Sequence, residues 1–123
     1  MDNAKPGDLK VEKWNQEKDG ELTQTNMEQK LRKQGYRFVR YDFPPGINFP
    51  EHTHGVSKKD AILKGKMKFS MYGQTVILCP GDMIQVPNGR MHSASVVGND
   101  FLVFYDATID PNAEITKEEL EDS

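Results

Sequence analysis

The chain is poor in cysteine, tryptophan and histidine, and it contains no long apolar run. One cysteine, Cys79, among 123 residues excludes an internal disulfide and any zinc site built from cysteine pairs, as expected in a reducing compartment. Cys79 follows the apolar run VIL and precedes PGD, a turn signal. No neighbouring residue would stabilise its thiolate, so it reads as structural rather than nucleophilic. A membrane span needs roughly 18 or more consecutive apolar residues, and none occur. The opening MDNAKPGDLK also lacks an apolar signal-peptide core, so the expectation is a cytoplasmic protein with no membrane partner.

Basic clusters interleaved with aromatics are missing too. The formal charge is -3, but residues 106–123 alone hold seven acids and one lysine, leaving fifteen bases against twelve acids in residues 1–105. A body of +3 with no concentrated patch offers no electrostatic footprint for nucleic acid, and none is expected as a partner.

What is present, 36% hydrophobic and 28% charged residues in this length, suits one domain around one core. Residues 1–22 form a polar leader in which only Leu9, Val11 and Trp14 offer anchors, so partial order is expected. In TQTNMEQKLRKQG, Thr25 and Glu28 have capping-box spacing, Met27 and Leu31 stand at i and i+4, and Gly35 can end the element. Together these predict a short helix over about 25–34. From Tyr36 the texture changes to short β-branched and aromatic runs: YRFVRYDF, GINFPEH, DAILK, KMKFSMY, QTVILC, DMIQVP, MHSASVV and FLVFYD. Gly65, Gly73 with Gln74, Gly81 with Asp82, and Gly98 with Asn99 supply turns between them, the pattern of an all-β sandwich or barrel. The domain is expected over 23–109, followed by an acidic tail over 110–123 with a weak helix start at Thr116 and Glu119.

Three histidines occur, and two are one residue apart in EHTHGVSKKD. Strand side chains alternate faces, so His52 and His54 project to the same side and can converge on one ion, while Glu51 points away. Asp60 and Ile62 share a face by the same parity. Met67, Phe69 and Met71 alternate along one run and should face the core. An HxH pair alone is weak, but the surrounding spacing is specific. From Gly46 the chain reads five residues, His52, one residue, His54, ten residues, Gly65; from Gly81 it reads five residues, Pro87, one residue, Gly89, two residues, His92.

These two stretches resemble the paired motifs of the cupin superfamily, over most of residues 36–106. Gly81, Pro87, Gly89 and His92 match the second motif, with Val96 where an Asn is frequent; Gly46, His52, His54 and Gly65 match the first. The departure is Lys58, which stands where the family has a metal-binding Glu. The resemblance implies an all-β fold, a jelly-roll (cupin) β-barrel preceded by the short helix. His92 would join His52 and His54 inside the barrel, around a divalent transition metal such as Fe, Zn, Ni or Mn. A cavity for a small-molecule ligand or substrate, and a homodimer, are expected with it.

Lysine in the carboxylate slot opposes a divalent cation by Coulomb repulsion. It either swings to solvent, pairs with Asp60, or meets an anionic ligand in a pocket without metal; the family pattern favours the pairing, while a shifted register would make Asp60 itself the carboxylate ligand. A three-histidine iron site without carboxylate occurs in cupin thiol dioxygenases, so the substitution does not by itself abolish metal binding. Gln85 and Arg90, beside the second motif, are candidates to orient a polar ligand. The expected function is a metal-dependent small-molecule enzyme, with oxygenation, isomerisation and hydrolysis undistinguished. The alternative is a non-catalytic binding module in which Lys58 contacts an anionic ligand.

Overall fold

A computed structural model describes residues 9–112. Two antiparallel sheets face each other, with strand order β1-β7-β4-β9-β2 in one and β3-β8-β5-β6 in the other. The strands are β1 (Val11–Glu12), β2 (Tyr36–Phe43), β3 (Asn48–His52), β4 (Lys58–Lys64), β5 (Lys66–Met71), β6 (Gln74–Leu78), β7 (Met83–Val86), β8 (His92–Val97) and β9 (Leu102–Ile109). Helices α1 (Gln16–Asp19) and α2 (Gln24–Lys33) precede β2. All eight strands read from the sequence are present. The fold is the jelly-roll barrel, and no helix among the described residues is long and apolar enough to cross a membrane.

Burial explains the composition of each strand. Between the sheets lie Ile62, Phe69, Leu78, Ile84, Leu102 and Phe104, with Met67 and Met71 beside them. A second cluster forms where α2 sets Met27 and Leu31 on the outer face of the larger sheet, against Ala61, Met83, Tyr105 and Ala107. Strands β4 and β9 are therefore covered on both faces along their middles, where AIL and LVFY run apolar without alternation, whereas β5 alternates buried and exposed residues because its outer face meets solvent.

Helix α2 begins earlier than its sequence signal. Thr23, not Thr25, is the N-cap, its hydroxyl accepting the Asn26 N–H at 3.1 Å. Glu28 is drawn away from any capping box because its carboxylate accepts the Tyr105 hydroxyl at 2.7 Å, a tertiary bond that local spacing does not encode. The helix ends before Gly35 at φ 87°, as its sequence suggests. The β5–β6 turn differs by one residue: it is built on Tyr72 and Gly73, both at positive φ, while Gln74 already pairs with Met71 in β6.

Residues 9–22 of the leader are tied down more firmly than their polarity suggests. Val11 and Glu12 pair with Ile84 and Met83, and Leu9, Val11 and Trp14 join the two clusters. Glu12 then receives the Lys59 ammonium at 3.0 Å and that of Lys30 at 3.0 Å, and Lys30 also meets Asp19 at 2.8 Å. Burial works to raise the Glu12 pKa, yet the hydrogen bonds from Lys59 and Lys30 outweigh it and hold the carboxyl below its ordinary value. Lys59, only 5% exposed, is buried because this pairing compensates it.

The same leader explains one motif glycine. Gly81 has φ 93°, and a Cβ there would lie 2.6 Å from the Trp14 Cβ. Both the backbone conformation and the space thus demand glycine. Gly81→Ala is expected to lower stability by about 2–4 kcal/mol in urea denaturation; a change within error would show that Trp14 moves freely away.

Candidate metal centre

The three histidines meet because two strand registers and one turn bring them together. His52 closes β3 and is the direct cross-strand partner of His92 at the start of β8, which pairs with Met71 of β5 on its other side. A bulge in β3 between Phe49 and His52 adjusts that alignment. His54 lies just beyond the strand, where its carbonyl accepts the Gly89 N–H at 2.9 Å. Gly89, at φ 75°, belongs to the turn closed by the Arg90 N–H on the Pro87 carbonyl at 3.1 Å. The Pro-x-Gly element of the second motif therefore clamps the His-x-His segment of the first.

The imidazole centroids are 4.8 Å (His52–His54), 4.2 Å (His52–His92) and 4.9 Å (His54–His92) apart. Their candidate ligand atoms all lie within 4.8 Å of one another. Nδ1 of His52 stands 2.7 Å from the Pro50 carbonyl and Nδ1 of His92 stands 2.9 Å from the Arg90 carbonyl. A carbonyl only accepts, so each Nδ1 carries the proton and each Nε2 keeps its lone pair, the arrangement by which outer partners orient metal-binding imidazoles. Burial lowers the pKa of His54, and the Lys58 charge and the other two imidazoles lower it further. Burial also lowers that of His92, with His52 and Lys58 adding to it against the Arg90 carbonyl. Neutral imidazoles are the form that binds metal. Three convergent nitrogen donors with fixed tautomers fit a divalent transition metal, which takes such nitrogens at about 2.0–2.1 Å in the zinc case.

Beside the imidazoles lies a cavity of about 300 Å³ between the sheets. Phe43, Phe49 and Phe104 form an aromatic side, with Phe43 at 5.1 Å from Phe49 and 5.9 Å from Phe104. Met67 and Phe69 are both core and cavity wall. Facing the imidazoles from the larger sheet are Asp60 of β4 and Asp106 of β9, which are direct cross-strand partners.

Lys58 does not pair with Asp60. Its Nζ lies 2.9 Å from Asp106 Oδ2, with both side chains about one-fifth exposed (21% and 22%). Strand β4 starts at Lys58, so Lys58 and Asp60 share its inner face two residues apart, while Asp106 projects from the adjacent strand within reach of a long lysine. Asp60 is not among the convergent metal-ligand groups. Burial, then the neighbouring Asp106 carboxylate, push its carboxyl up to about 7 against the opposing pull of Lys58. Asp106 Oδ1 is buried without a hydrogen-bond partner.

Two other candidates lie elsewhere. Gln85 is exposed on the outer face of β7, hydrogen-bonded to Tyr36 and bordering a groove with Glu12 and Lys59. Strand parity put it there: Ile84 and Val86 take the inner face. Arg90 turns away from the cavity to lie 4.6 Å over the Tyr72 ring, and only its carbonyl serves the site, through His92. Asp106 was missed in the sequence. Its signal was available, since in FLVFYD an aspartate keeps step with Leu102 and Phe104 on the inner face of an otherwise apolar strand.

No curated protein matches the chain in sequence. Among solved structures, a cupin superfamily protein from Desulfitobacterium hafniense is similar over 87% of this chain and 82% of its own, at 16% identity and a TM-score of 0.53. KdgF from Halomonas sp. is similar over 63% of this chain and 72% of its own, at 23% identity and a TM-score of 0.54. A cupin-2 domain protein from Shewanella frigidimarina shares 17% identity over 62% of this chain and 72% of its own, with a TM-score of 0.52. At these identities the likeness is one of fold. The family described as the cupin domain matches residues 39–108, more than half of the chain, from within β2 to within β9 and including the three histidines; the protein belongs to the cupin domain family.

Proposed function

We propose that the protein is a metal-dependent enzyme acting on a small molecule, with Fe, Zn, Ni or Mn held by His52, His54 and His92. The observation that carries this is the convergence of three imidazoles within 4.8 Å, two of them with Nδ1 engaged by a backbone carbonyl. A divalent ion held there supplies Lewis-acid chemistry toward an oxygen of the bound molecule. The chain's own residues do the rest. Pro50 and Arg90 orient imidazoles through their carbonyls, Phe43, Phe49 and Phe104 keep one side of the cavity dry, and Asp60, its carboxyl pushed up to about 7, can hold or release a proton on the opposite wall.

The second reading, a non-catalytic module gripping an anion through Lys58, is less well supported because that ammonium is already bound to Asp106. Elemental analysis of protein purified without chelators tests the metal reading, with about one ion per chain expected for a three-ligand site. No stoichiometric ion, and no tight binding when Fe, Zn, Ni or Mn is added, would sink it. Oxygen uptake by the iron-loaded protein with candidate substrates then separates oxygenation from isomerisation and hydrolysis.

A further inference from the structure

The cavity beside the imidazoles has an uneven electrostatic lining. Its polar residues are the three histidines, Tyr41 and, across from the imidazoles, Asp60 and Asp106; among the described residues, no lysine or arginine lines it. Lys58 lies in the adjoining groove with Arg37, Val39 and Thr108, and Tyr41 and Asp106 line both spaces. The 2.9 Å ion pair commits the Lys58 ammonium to Asp106, although its charge still reaches His54 and His92.

From this geometry we infer that the cavity selects uncharged, flat ligands whose end against the β4–β9 wall offers a hydrogen-bond donor such as an amide N–H, an alcohol or a phenol, and that it rejects carboxylates there. This deepens the proposed function by naming the ligand class, and it rests on that reading only for which cavity is used. Three features point the same way. First, two carboxyls share one ammonium across directly paired positions, so a third carboxylate would add like charge to a wall whose one cation is already paired. Second, Asp106 Oδ1 is a buried acceptor without a partner. A small side-chain adjustment would turn it to a donor on the ligand, which removes the cost of leaving it unpaired. Third, the rest of the lining is aromatic and apolar, including Phe43, Phe49, Phe69 and Phe104, and about 300 Å³ suits a single ring with short substituents. Asp60, with its carboxyl pushed up to about 7, is partly protonated near neutral pH and adds a donor for a ligand carbonyl.

Benzamide and benzoate, nearly identical in shape, test this by calorimetry at pH 8 on chelator-treated and on zinc-loaded protein. Metal-free wild type should bind benzamide at least tenfold more tightly than benzoate. Asp106→Asn, which frees Lys58, should raise the ratio of benzoate to benzamide affinity at least tenfold in both forms, because any attraction of benzoate to zinc is common to variant and wild type. If that variant does not fold, Asp60→Asn, which keeps the ion pair but removes one carboxylate, should shift the ratio the same way by several-fold. Equal or tighter binding of benzoate by the metal-free wild type, no binding of either probe, or an unchanged ratio in the variants overturns the inference. A lack of zinc uptake with the benzamide preference intact would instead overturn the metal reading and leave the ligand class standing.

Discussion

Replacing His92 with Ala is expected to take the protein from about one bound transition-metal ion per chain to none, and to abolish the stabilisation that added zinc confers on the wild type. A site binding only the folded state stabilises by about 2.7 kcal/mol at a free ligand concentration 100 times its Kd. The wild type should show such a zinc-dependent rise in urea midpoint, and the variant should not. His92 is the most sensitive of the three positions because it is 5% exposed, pairs directly with His52, and lies 5.8 Å from Phe69. Its loss therefore leaves His52 and His54 without a third nitrogen and opens a space in the wall. The metal effect must be separated from lost packing, which is why His92→Gln belongs in the comparison. Gln keeps most of the volume but offers only a weak amide oxygen to the ion. Stoichiometric zinc retained by His92→Ala would place the metal site elsewhere.

Asp60→Asn should make metal-free protein more stable at pH 8 relative to wild type than it does at pH 5, by about 2–3 kcal/mol in urea denaturation. The sign follows from the direction of the shift. Folding raises the Asp60 carboxyl from 3.8 to about 7, so the folded chain holds this proton more tightly than the unfolded one. The stabilising contribution is complete below the unfolded value near 3.8 and is lost as pH rises through about 7. At pH 8 the wild type must ionise Asp60 beside Asp106; asparagine has nothing to ionise. The lowered His54 and His92 values act in the opposite sense, reducing stability as pH falls below the ordinary histidine range, but they are present in both proteins and largely cancel in the difference. Equal effects of the substitution at both pH values would mean that Asp60 stays ionised throughout.

How far the site was legible follows from how each part is held together. The histidines were readable because cupin spacing converts a three-dimensional meeting into fixed intervals: Gly89 donates to the His54 carbonyl, and the turn it forms delivers His92 to His52. The capping residue of α2 was misplaced because Glu28 is claimed by Tyr105, 77 residues away. Leu9, Val11 and Trp14 were legible as anchors of the leader and all three pack, whereas its ion pairs with Lys59 and Lys30 were not, because their positions depend on the completed sheet and helix. Gln85 and Arg90 were chosen for nearness to the second motif, but strand parity sends one outward and the Tyr72 ring holds the other.

By itself the sequence determined the strands, the turns that permit them and the three imidazoles, because alternation, glycine at positive φ and ligand identity are local properties of the chain. Only the tertiary structure decided the fate of Lys58. Local order set Asp60 beside it as the obvious partner, but the register between β4 and β9 brought in Asp106, 48 residues away, at 2.9 Å. An ion pair is governed by distance through space, which the pairing of two strands sets and neighbourhood along the chain does not.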